Sequence, residues 1–260
     1  MYQNNSGFLN SIPPITKNLI IINLLMWFAT IALPSGISEY MERYLGLHYF
    51  MSAEFNPAQL VTYMFMHGSF THVFFNMFAV FMFGRTLELL WGKKRFLIFY
   101  FVTGIGAGLI QELVTGIRVY QLVAQLPPEA MGLVKTEGLQ LLKNFPPKNY
   151  TDEMLGGLNL LVNSTTVGAS GSVFGILLAF GMLFPNVPLF IMFIPIPVKA
   201  KYFVILYGVM ELYLGIANHS GDNVAHFAHL GGMLFGFFLI RYWRKKDIND
   251  RDLNNHGGFF

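Results

Sequence analysis

The sequence predicts an all-α protein that crosses a membrane several times, and three observations support this fold class. Hydrophobic residues make up 54% of the chain, and the mean hydropathy is +0.49. Only 12% of the residues are charged, about half the share found in soluble domains. Long apolar runs recur along the chain between polar or proline-rich segments. We therefore expect a polytopic bundle of six transmembrane helices rather than a soluble enzyme.

Six apolar runs are the candidate spans. They cover residues 18–33, 71–90, 96–114, 167–184, 202–217 and 225–242. No small-residue cleavage site follows the first run, so we interpret it as a retained span rather than a signal peptide. Several runs are shorter than the ~20 residues of a perpendicular span. Their helices are therefore expected to extend into the polar flanks.

Two connections between these spans are rich in proline. Residues 115–166 contain two Pro-Pro pairs and short amphipathic pieces, which we expect to lie on the membrane surface as a lid or spacer. Residues 185–201 are apolar but contain four prolines. Because proline disrupts a helix interior, this segment is expected to form an interfacial loop.

The positive charges predict the orientation in the membrane. Of the 17 Lys and Arg residues, 12 lie on the side of the chain termini. The other five are Arg43, Arg118, Lys135, Lys143 and Lys148. By the positive-inside rule both termini are cytoplasmic, which gives a cytoplasmic tail (1–16), a membrane domain (17–243) with a long extracytoplasmic loop (115–166), and a second cytoplasmic tail (244–260). Because the basic residues follow topology, we expect no nucleic-acid partner.

Polar residues at the heads of three spans are the candidate functional groups. In this topology His72, Asn76, Ser170 and His229 share the non-cytoplasmic half of the bundle. Polar groups inside a bilayer are costly and usually functional. Each also has a purely structural interpretation: a serine bonded to a backbone carbonyl, a buried histidine tether, or an asparagine between helices. Together they supply the nucleophile, base and oxyanion donors of acyl transfer.

Glycine pairs predict where two of these spans meet. Gly171 and Gly175 are four residues apart in the fourth span, and Gly232 and Gly236 are four apart in the sixth. Such small-residue ridges allow close helix packing, which would bring Ser170 within reach of His229. Ordinary helix packing is equally compatible with these pairs.

Four motifs resemble those of the rhomboid intramembrane serine proteases. They are His67-x4-His72-x3-Asn76, Gly84-x3-Glu88-x3-Gly92, Gly168-Ala169-Ser170-Gly171, and Ala228-His229-Leu230-Gly231-Gly232 with Gly236 following. Each motif alone is weak, whereas all four in this order on alternate helices are specific. The resemblance covers residues from about 57 to 242.

The resemblance implies a role for each motif residue. Ser170 would be the nucleophile and His229 the general base, in a dyad without a carboxylate. The Ser170 backbone N–H, Asn76 and His72 would form the oxyanion hole. Structural support would come from His67, Glu88, Phe174, Gly168, Gly171, Gly232 and Gly236. No metal or other cofactor is expected, and the partners would be membrane-protein substrates and lipids.

The sequence departs from the family pattern in three places. Ala58 and Gln59 replace a Trp-Arg pair that often precedes the first histidine, so the outer loop is expected to be anchored differently. Phe174 replaces a tyrosine, and can stack on the catalytic histidine but cannot hydrogen-bond. The loop 115–166 is longer than expected.

The expected function is hydrolysis of peptide bonds in or near transmembrane segments, with the active site open to the non-cytoplasmic side of the cell membrane. One alternative is an inactive relative that binds membrane proteins, although both Ser170 and His229 are present. A second alternative is a metal-dependent protein using His67, His72, His226 and His229. It lacks an HExxH motif and, on sequence spacing, a second carboxylate near these histidines. The absence of cysteine excludes a thiol nucleophile.

Overall fold

The computed structural model describes residues 11–143, 148–190, 197–217 and 225–256, and these are mostly helical. The helices are α1 (Pro14–Ala32), α2 (Ser35–Leu45), α3 (Gln59–Thr62), α4 (Phe70–Ala79), α5 (Arg85–Val123), α6 (Ala130–Leu133), α7 (Leu139–Lys143), α8 (Glu153–Asn163), α9 (Ser170–Leu183), α10 (Ala200–Ala217) and α11 (His226–His256). A 3-10 turn (Tyr63–Phe65) follows α3, and π-helical turns (Val80–Gly84 and Val134–Gly138) join α4 to α5 and α6 to α7.

Helix α9 lies at the centre of the bundle. Ten of its 14 residues are buried, whereas only three of the 19 residues of α1 are. It contacts α5 and α11 most extensively, and α4 and α10 as well. A helix that is apolar all round is typical of a protein core or a membrane span, and α9 lies in the core. The first residue of α9, Ser170, therefore lies inside the bundle.

The second and third predicted spans are one helical stretch broken at Gly92. This glycine has φ +79° and ψ 166°, which is not a helical conformation. The chain folds back at Gly92. Two contacts across the turn show this: the Trp91 and Phe99 rings are 5.0 Å apart, and Phe96 lies against Gly84. A positive φ is accessible to glycine at little cost. The third span also continues to Val123 rather than ending at 114.

Apolar surface covers the periphery of the bundle. Within the described ranges, three helical stretches are long and apolar enough to cross a membrane: Pro14–Ala32, Phe70–Val123 and Ala200–Ala217. The apolar helix α9 is shorter. The outer helices expose large apolar side chains, such as Leu25 on α1 and Leu206 on α10, each more than 60% accessible. Such surface is suited to lipid rather than to water.

The long connection folds into a helical cap, defined here as residues 130–143 and 148–163. Its short helices pack around a shared hydrophobic core, which the sequence did not predict. The cap has its own hydrophobic core, formed by Val134, Leu158 and Val162. Val119 at the end of α5 and Tyr49 from the first loop, defined as residues 33–69 between α1 and α4, complete this core. Asn159 and Asn163 donate to the carbonyls of Gly138 and Val134 inside this cap.

Two short antiparallel strand pairs complete the fold. β1 (Leu47–His48) pairs with β2 (Thr165–Thr166), so the first loop is joined to the segment that precedes α9. β3 (Pro188–Phe190) pairs with β4 (Pro197–Lys199), and the proline-rich segment is therefore not a regular helix, as predicted.

The C-terminal segment differs from the simple polar tail that the sequence indicated. Helix α11 continues past the predicted membrane boundary to His256. Asp247 of this extension accepts two hydrogen bonds from the Arg95 guanidinium at 2.6 and 2.9 Å. The extension is thus tied to the turn between the two halves of the broken helix.

Candidate active site

Ser170 and His229 are in direct contact. The Nε2 atom of His229 lies 2.9 Å from the Oγ atom of Ser170. Ser170 begins α9, and His229 lies in the first turn of α11. The histidine is buried, with 8% of its surface accessible, while the serine is half-buried. A hydroxyl within hydrogen-bonding distance of an imidazole nitrogen has the geometry of a nucleophile with its general base.

A backbone contact between α9 and α11 sets this distance. A Cβ atom placed on Gly232 would lie 1.9 Å from the carbonyl oxygen of Gly171. A Cβ atom on Gly171 would in turn lie 2.3 Å from the Cβ of Ala107 on α5. The glycine pairs are therefore in contact, but the tightest crossing is Gly171 with Gly232. A Cβ atom on Gly236 would have more room, at 3.1 Å from the Phe99 ring and 3.5 Å from the Cα of Gly175.

Gly168 occupies a position that requires glycine for two reasons. Its φ is +133°, a region that other residues rarely adopt. A Cβ atom there would also lie 2.7 Å from the imidazole ring of His72. Its N–H donates to the carbonyl of Tyr63 at 2.9 Å. These constraints fix the turn that presents Ser170 beside His72.

Phe174 packs on the ring of His229. The two rings are nearly parallel, with an interplanar angle of 6° and centroids 4.2 Å apart. Phe174 lies four residues after Ser170, so one face of α9 carries both side chains. The stacking holds the imidazole plane while its edge meets Ser170.

The predicted oxyanion residues lie on α4. The backbone N–H of His72 donates to the side chain of Ser69, which caps the helix. One turn later, the Nδ2 of Asn76 lies 3.1 Å from the Nε2 of His67. Burial, followed by repulsion from His72, lowers the pKa of His67 to about 3. His67 is therefore neutral, and its Nε2 can accept a hydrogen from the Asn76 amide.

Glu211 is a site residue that the sequence reasoning missed. It lies on α10 with 6% of its surface accessible. Its Oε2 is 2.9 Å from the Nδ1 of His229 and 2.6 Å from the Nδ1 of His226. Glu211 is the sole charged residue between 202 and 217. A lone carboxylate inside a predicted span is the signal that could have identified it.

This carboxylate also removes one argument made against a metal site. Glu211, His226 and His229 offer ligand atoms within 4.8 Å of one another. The metal alternative combined His226 and His229 with His67 and His72, and the apparent lack of a second carboxylate near them counted against it. His67 instead contacts Asn76 and packs edge-on against His72, with ring centroids 5.0 Å apart. The two Nδ1 contacts to Glu211 are also explained by hydrogen bonds alone.

Glu88 lies at the opposite end of the bundle from Ser170. Its carboxylate accepts hydrogen bonds from the backbone N–H groups of Ile15 and Thr16, at 2.9 and 2.7 Å, and from the Thr16 hydroxyl. These N–H groups belong to the first turn of α1, which lacks intrahelical acceptors for them. Glu88 thus joins α5 to the beginning of α1 and has no direct contact with Ser170 or His229.

Gln59 anchors the first loop, where the family pattern often has an arginine. Its Nε2 lies within hydrogen-bonding distance of the carbonyls of Arg43, Tyr44 and Glu54. Its Oε1 accepts from the backbone N–H groups of His48 and Asn56. The loop is thus anchored by a neutral side chain that is 1% accessible.

Comparison with a protein-family model gives a match over most of the chain. The model of the rhomboid domain matches residues 54–123 and 146–246. This match includes the segments that carry His67, Asn76, Ser170, Glu211 and His229. Residues 124–145, a stretch that includes the first part of the cap, fall outside it.

Two relatives are similar in sequence. An uncharacterized mitochondrial rhomboid protein of Schizosaccharomyces pombe is 24% identical over 210 residues, which cover 73% of this chain and 52% of the relative. The rhomboid protein YdcA of Bacillus subtilis is 43% identical over 47 residues, or 18% of this chain and 24% of the relative. The chain thus spans about half of the first relative and about a quarter of the second. With the family match and its apolar helices, this chain is an integral membrane protein and belongs to the rhomboid family.

Proposed function

We propose that this protein is an intramembrane serine endopeptidase that hydrolyses peptide bonds in or near transmembrane segments of other membrane proteins. The contact of 2.9 Å between His229 Nε2 and Ser170 Oγ is the observation that carries the proposal. It lies inside a bundle whose periphery is apolar, and rhomboid membership supports this reaction class. A catalytically inactive protein would give no reason for the contact between a nucleophile, Ser170, and a base, His229.

The reaction follows from the roles of the side chains. Ser170 Oγ attacks the scissile carbonyl carbon while its proton passes to Nε2 of His229. The resulting oxyanion is stabilised by the Ser170 backbone N–H, by Asn76 and by His72, each acting as a donor. The proton on His229 then passes to the leaving amine as the C–N bond breaks. Water hydrolyses the acyl-enzyme by the same steps, with His229 again as base.

The substrate class follows from the location of the site. A transmembrane helix has its carbonyls in its own hydrogen bonds, so it must unwind locally before Ser170 can attack. We therefore expect helix-destabilising residues near the cut site and a small residue at the cleavage position. Water must also reach the half-buried Ser170, which is consistent with a site open to the non-cytoplasmic side.

A serine-directed probe tests the proposal. The purified protein in detergent is expected to react with a fluorophosphonate and to cleave a transmembrane substrate, and Ser170→Ala is expected to abolish both. EDTA is expected to have no effect. Wild-type protein that neither labels nor cleaves would support the inactive relative. Loss of cleavage on chelation would support a metal at Glu211, His226 and His229.

A further inference from the structure

Glu211 places a carboxylate behind the candidate base. It lies on the inner face of α10, where Ala200, Val204 and Gly215 are also buried. The opposite face of this helix exposes large apolar side chains. A buried carboxylate in such a place is costly unless its oxygens accept hydrogen bonds. The Nδ1 atoms of His226 and His229 both meet its Oε2.

We propose that Glu211 is a positioning residue that holds His229 in the tautomer required of a general base, an inference that rests on the proposed function. An ionised carboxylate can only accept hydrogen bonds. The short contact with Glu211 therefore requires that the hydrogen of His229 be on Nδ1. Its Nε2 is then unprotonated and faces the Ser170 hydroxyl, ready to accept a proton.

The carboxylate also acts while the reaction proceeds. When Ser170 Oγ bonds to the carbonyl carbon, its proton moves to His229 Nε2 and the ring becomes positive. Glu211 stabilises this imidazolium by its negative charge. The carboxylate itself stays ionised throughout, as the aspartate of a serine-protease triad does. The proton leaves with the amine when the C–N bond breaks. The site thus operates as Ser170, His229 and Glu211, where the family resemblance implied a dyad.

His226 contacts the Glu211 carboxylate, and Arg118 contacts the helix that carries it. His226 gives Oε2 its second N–H contact, at 2.6 Å, from the turn that precedes His229. Gly215 lies one helical turn after Glu211, and its carbonyl accepts a hydrogen bond from the Arg118 guanidinium at 2.8 Å. The same guanidinium lies over the Phe227 ring. Arg118 thereby joins α5, α10 and α11. His226 on α11 thus contacts the Glu211 carboxylate directly, while Arg118 on α5 fixes the end of the helix that carries Glu211.

A simple structural tether between α10 and α11 is the competing explanation, and kinetics separate the two. We expect Glu211→Gln to lower kcat about 10²- to 10⁴-fold with little change in KM, the order of loss expected when a triad carboxylate becomes an amide. The amide can donate to Nδ1, which favours the wrong tautomer. Glu211→Asp keeps the charge and is expected to recover part of kcat.

Glu112→Gln is the matched control. Glu112 is a second glutamate of the helical bundle, and it accepts from the backbone N–H of Phe50 at 2.7 Å, away from Ser170. Its amide variant is expected to keep wild-type kcat. Thermal unfolding of each variant in detergent reports stability separately. A tether alone predicts that Glu211→Gln changes the unfolding temperature while the folded fraction retains wild-type kcat and labelling rate.

A spectroscopic readout addresses the tautomer directly. In protein labelled with ¹⁵N-histidine, the His229 signals, assigned with His229→Ala, are expected to show hydrogen on Nδ1 in the wild type. If Glu211→Gln does not fold, the wild-type spectrum still decides, because hydrogen on Nε2 overturns the proposal. An active Ser170→Ala refutes the proposed function itself. An inactive Ser170→Ala with wild-type turnover in Glu211→Gln refutes the role of Glu211 alone.

Discussion

The Asn76 amide has two hydrogens on Nδ2, and His67 accepts only one of them. His67 is neutral, so its Nε2 can accept one hydrogen from the Asn76 Nδ2 atom, which lies 3.1 Å away. This contact orients the amide and leaves its second hydrogen for another acceptor. An oxyanion formed near Ser170 would be such an acceptor. Under the proposed function, Asn76 would thus be a hydrogen-bond donor whose orientation is fixed in advance by His67.

We therefore predict that Asn76→Ala lowers kcat about 10²- to 10³-fold, the usual loss for one oxyanion donor. His67→Phe keeps the ring volume but removes the acceptor, so it is expected to reduce kcat less. Cleavage kinetics of both variants on one transmembrane substrate make the comparison, and thermal unfolding monitors the fold. Wild-type kcat in a folded Asn76→Ala variant would mean that Asn76 serves only in helix packing.

Single residues also show what could be predicted from sequence. Ser170 directly precedes Gly171 and His229 lies three residues before Gly232, so local spacing was enough to predict them as candidates. Glu211 lies 18 residues before His229, on another helix, and no local pattern links the two. Glu211 is a lone carboxylate in an apolar run and belongs to none of the paired motifs. The cost of burying it is nevertheless a functional signal in itself.

At the level of helices, the crossing of α9 and α11 determines the site. Sequence spacing placed Gly171, Gly175, Gly232 and Gly236 on facing ridges but gave them equal weight. In the structure the closest approach is at Gly232, where the Gly171 carbonyl leaves no room for a Cβ atom. The carbonyl belongs to a helix backbone, which cannot move alone. Gly236 faces a phenylalanine ring that can shift slightly.

We predict that Gly232→Ala is far more damaging than Gly236→Ala. Overpacking of this kind costs roughly 1–3 kcal/mol, and the helices can relieve it only by separating. A displacement of about 1 Å at the site can reduce the rate on the order of 10²-fold. Substrate cleavage and thermal unfolding of both variants measure the two effects. Equal behaviour of the two alanine variants would show that the Gly171–Gly232 contact does not control the site.

The first loop is stabilised by buried polar groups, and one of them is the imidazole of His48. His48 is 2% accessible, and its Nε2 lies 2.9 Å from the carbonyl of Arg43. Burial lowers the pKa of His48 below its usual 6.5. The unfolded chain therefore binds a proton at this residue before the folded protein does, and stability decreases as the pH falls below about 6.5.

We predict that the unfolding temperature decreases from pH 7.5 to pH 5.5, and that His48→Gln shows a shallower decrease. One proton contributes at most about 1.4 kcal/mol per pH unit. The other buried histidines, His67 among them, are unchanged in His48→Gln, so the difference between the two curves isolates His48. Calorimetric scans in detergent at several pH values provide the measurement. Parallel curves would contradict a neutral, buried His48.

For the whole molecule, the cap is the part that sequence reasoning could not assemble. Its helices are four to eleven residues long, too short for a clear hydrophobic period. Val134 belongs to the stretch outside the family match, yet it packs on Leu158 and Val162 inside the match. The apolar spans were identifiable because each one carries its own signal, whereas the cap core exists only after distant segments meet.

The arrangement of helix ends supports one orientation of the bundle. Thr16 in the first turn of α1 bonds to Glu88, the Trp91 and Trp243 rings are 5.4 Å apart, and Arg95 pairs with Asp247. The start of α1, the turn at Gly92 and the extension of α11 therefore gather at one end. Most of the positive charge predicted to be cytoplasmic lies there. The cap contacts Val119 near the far end of α5.

We predict that reporters fused to either end of this chain lie in the cytoplasm, while one inserted between Pro127 and Pro128, an exposed turn before the cap, lies outside. The reason is the positive-inside rule acting on the clustered Lys and Arg residues. Alkaline phosphatase and a fluorescent protein are fused separately at each position, because the first is active outside and the second inside. The same fusions in Ser170→Ala serve as the control for self-cleavage. A cytoplasmic cap reporter would place Ser170 and His229 in the cytoplasmic half of the bilayer, so that water and substrate would have to reach Ser170 from that side.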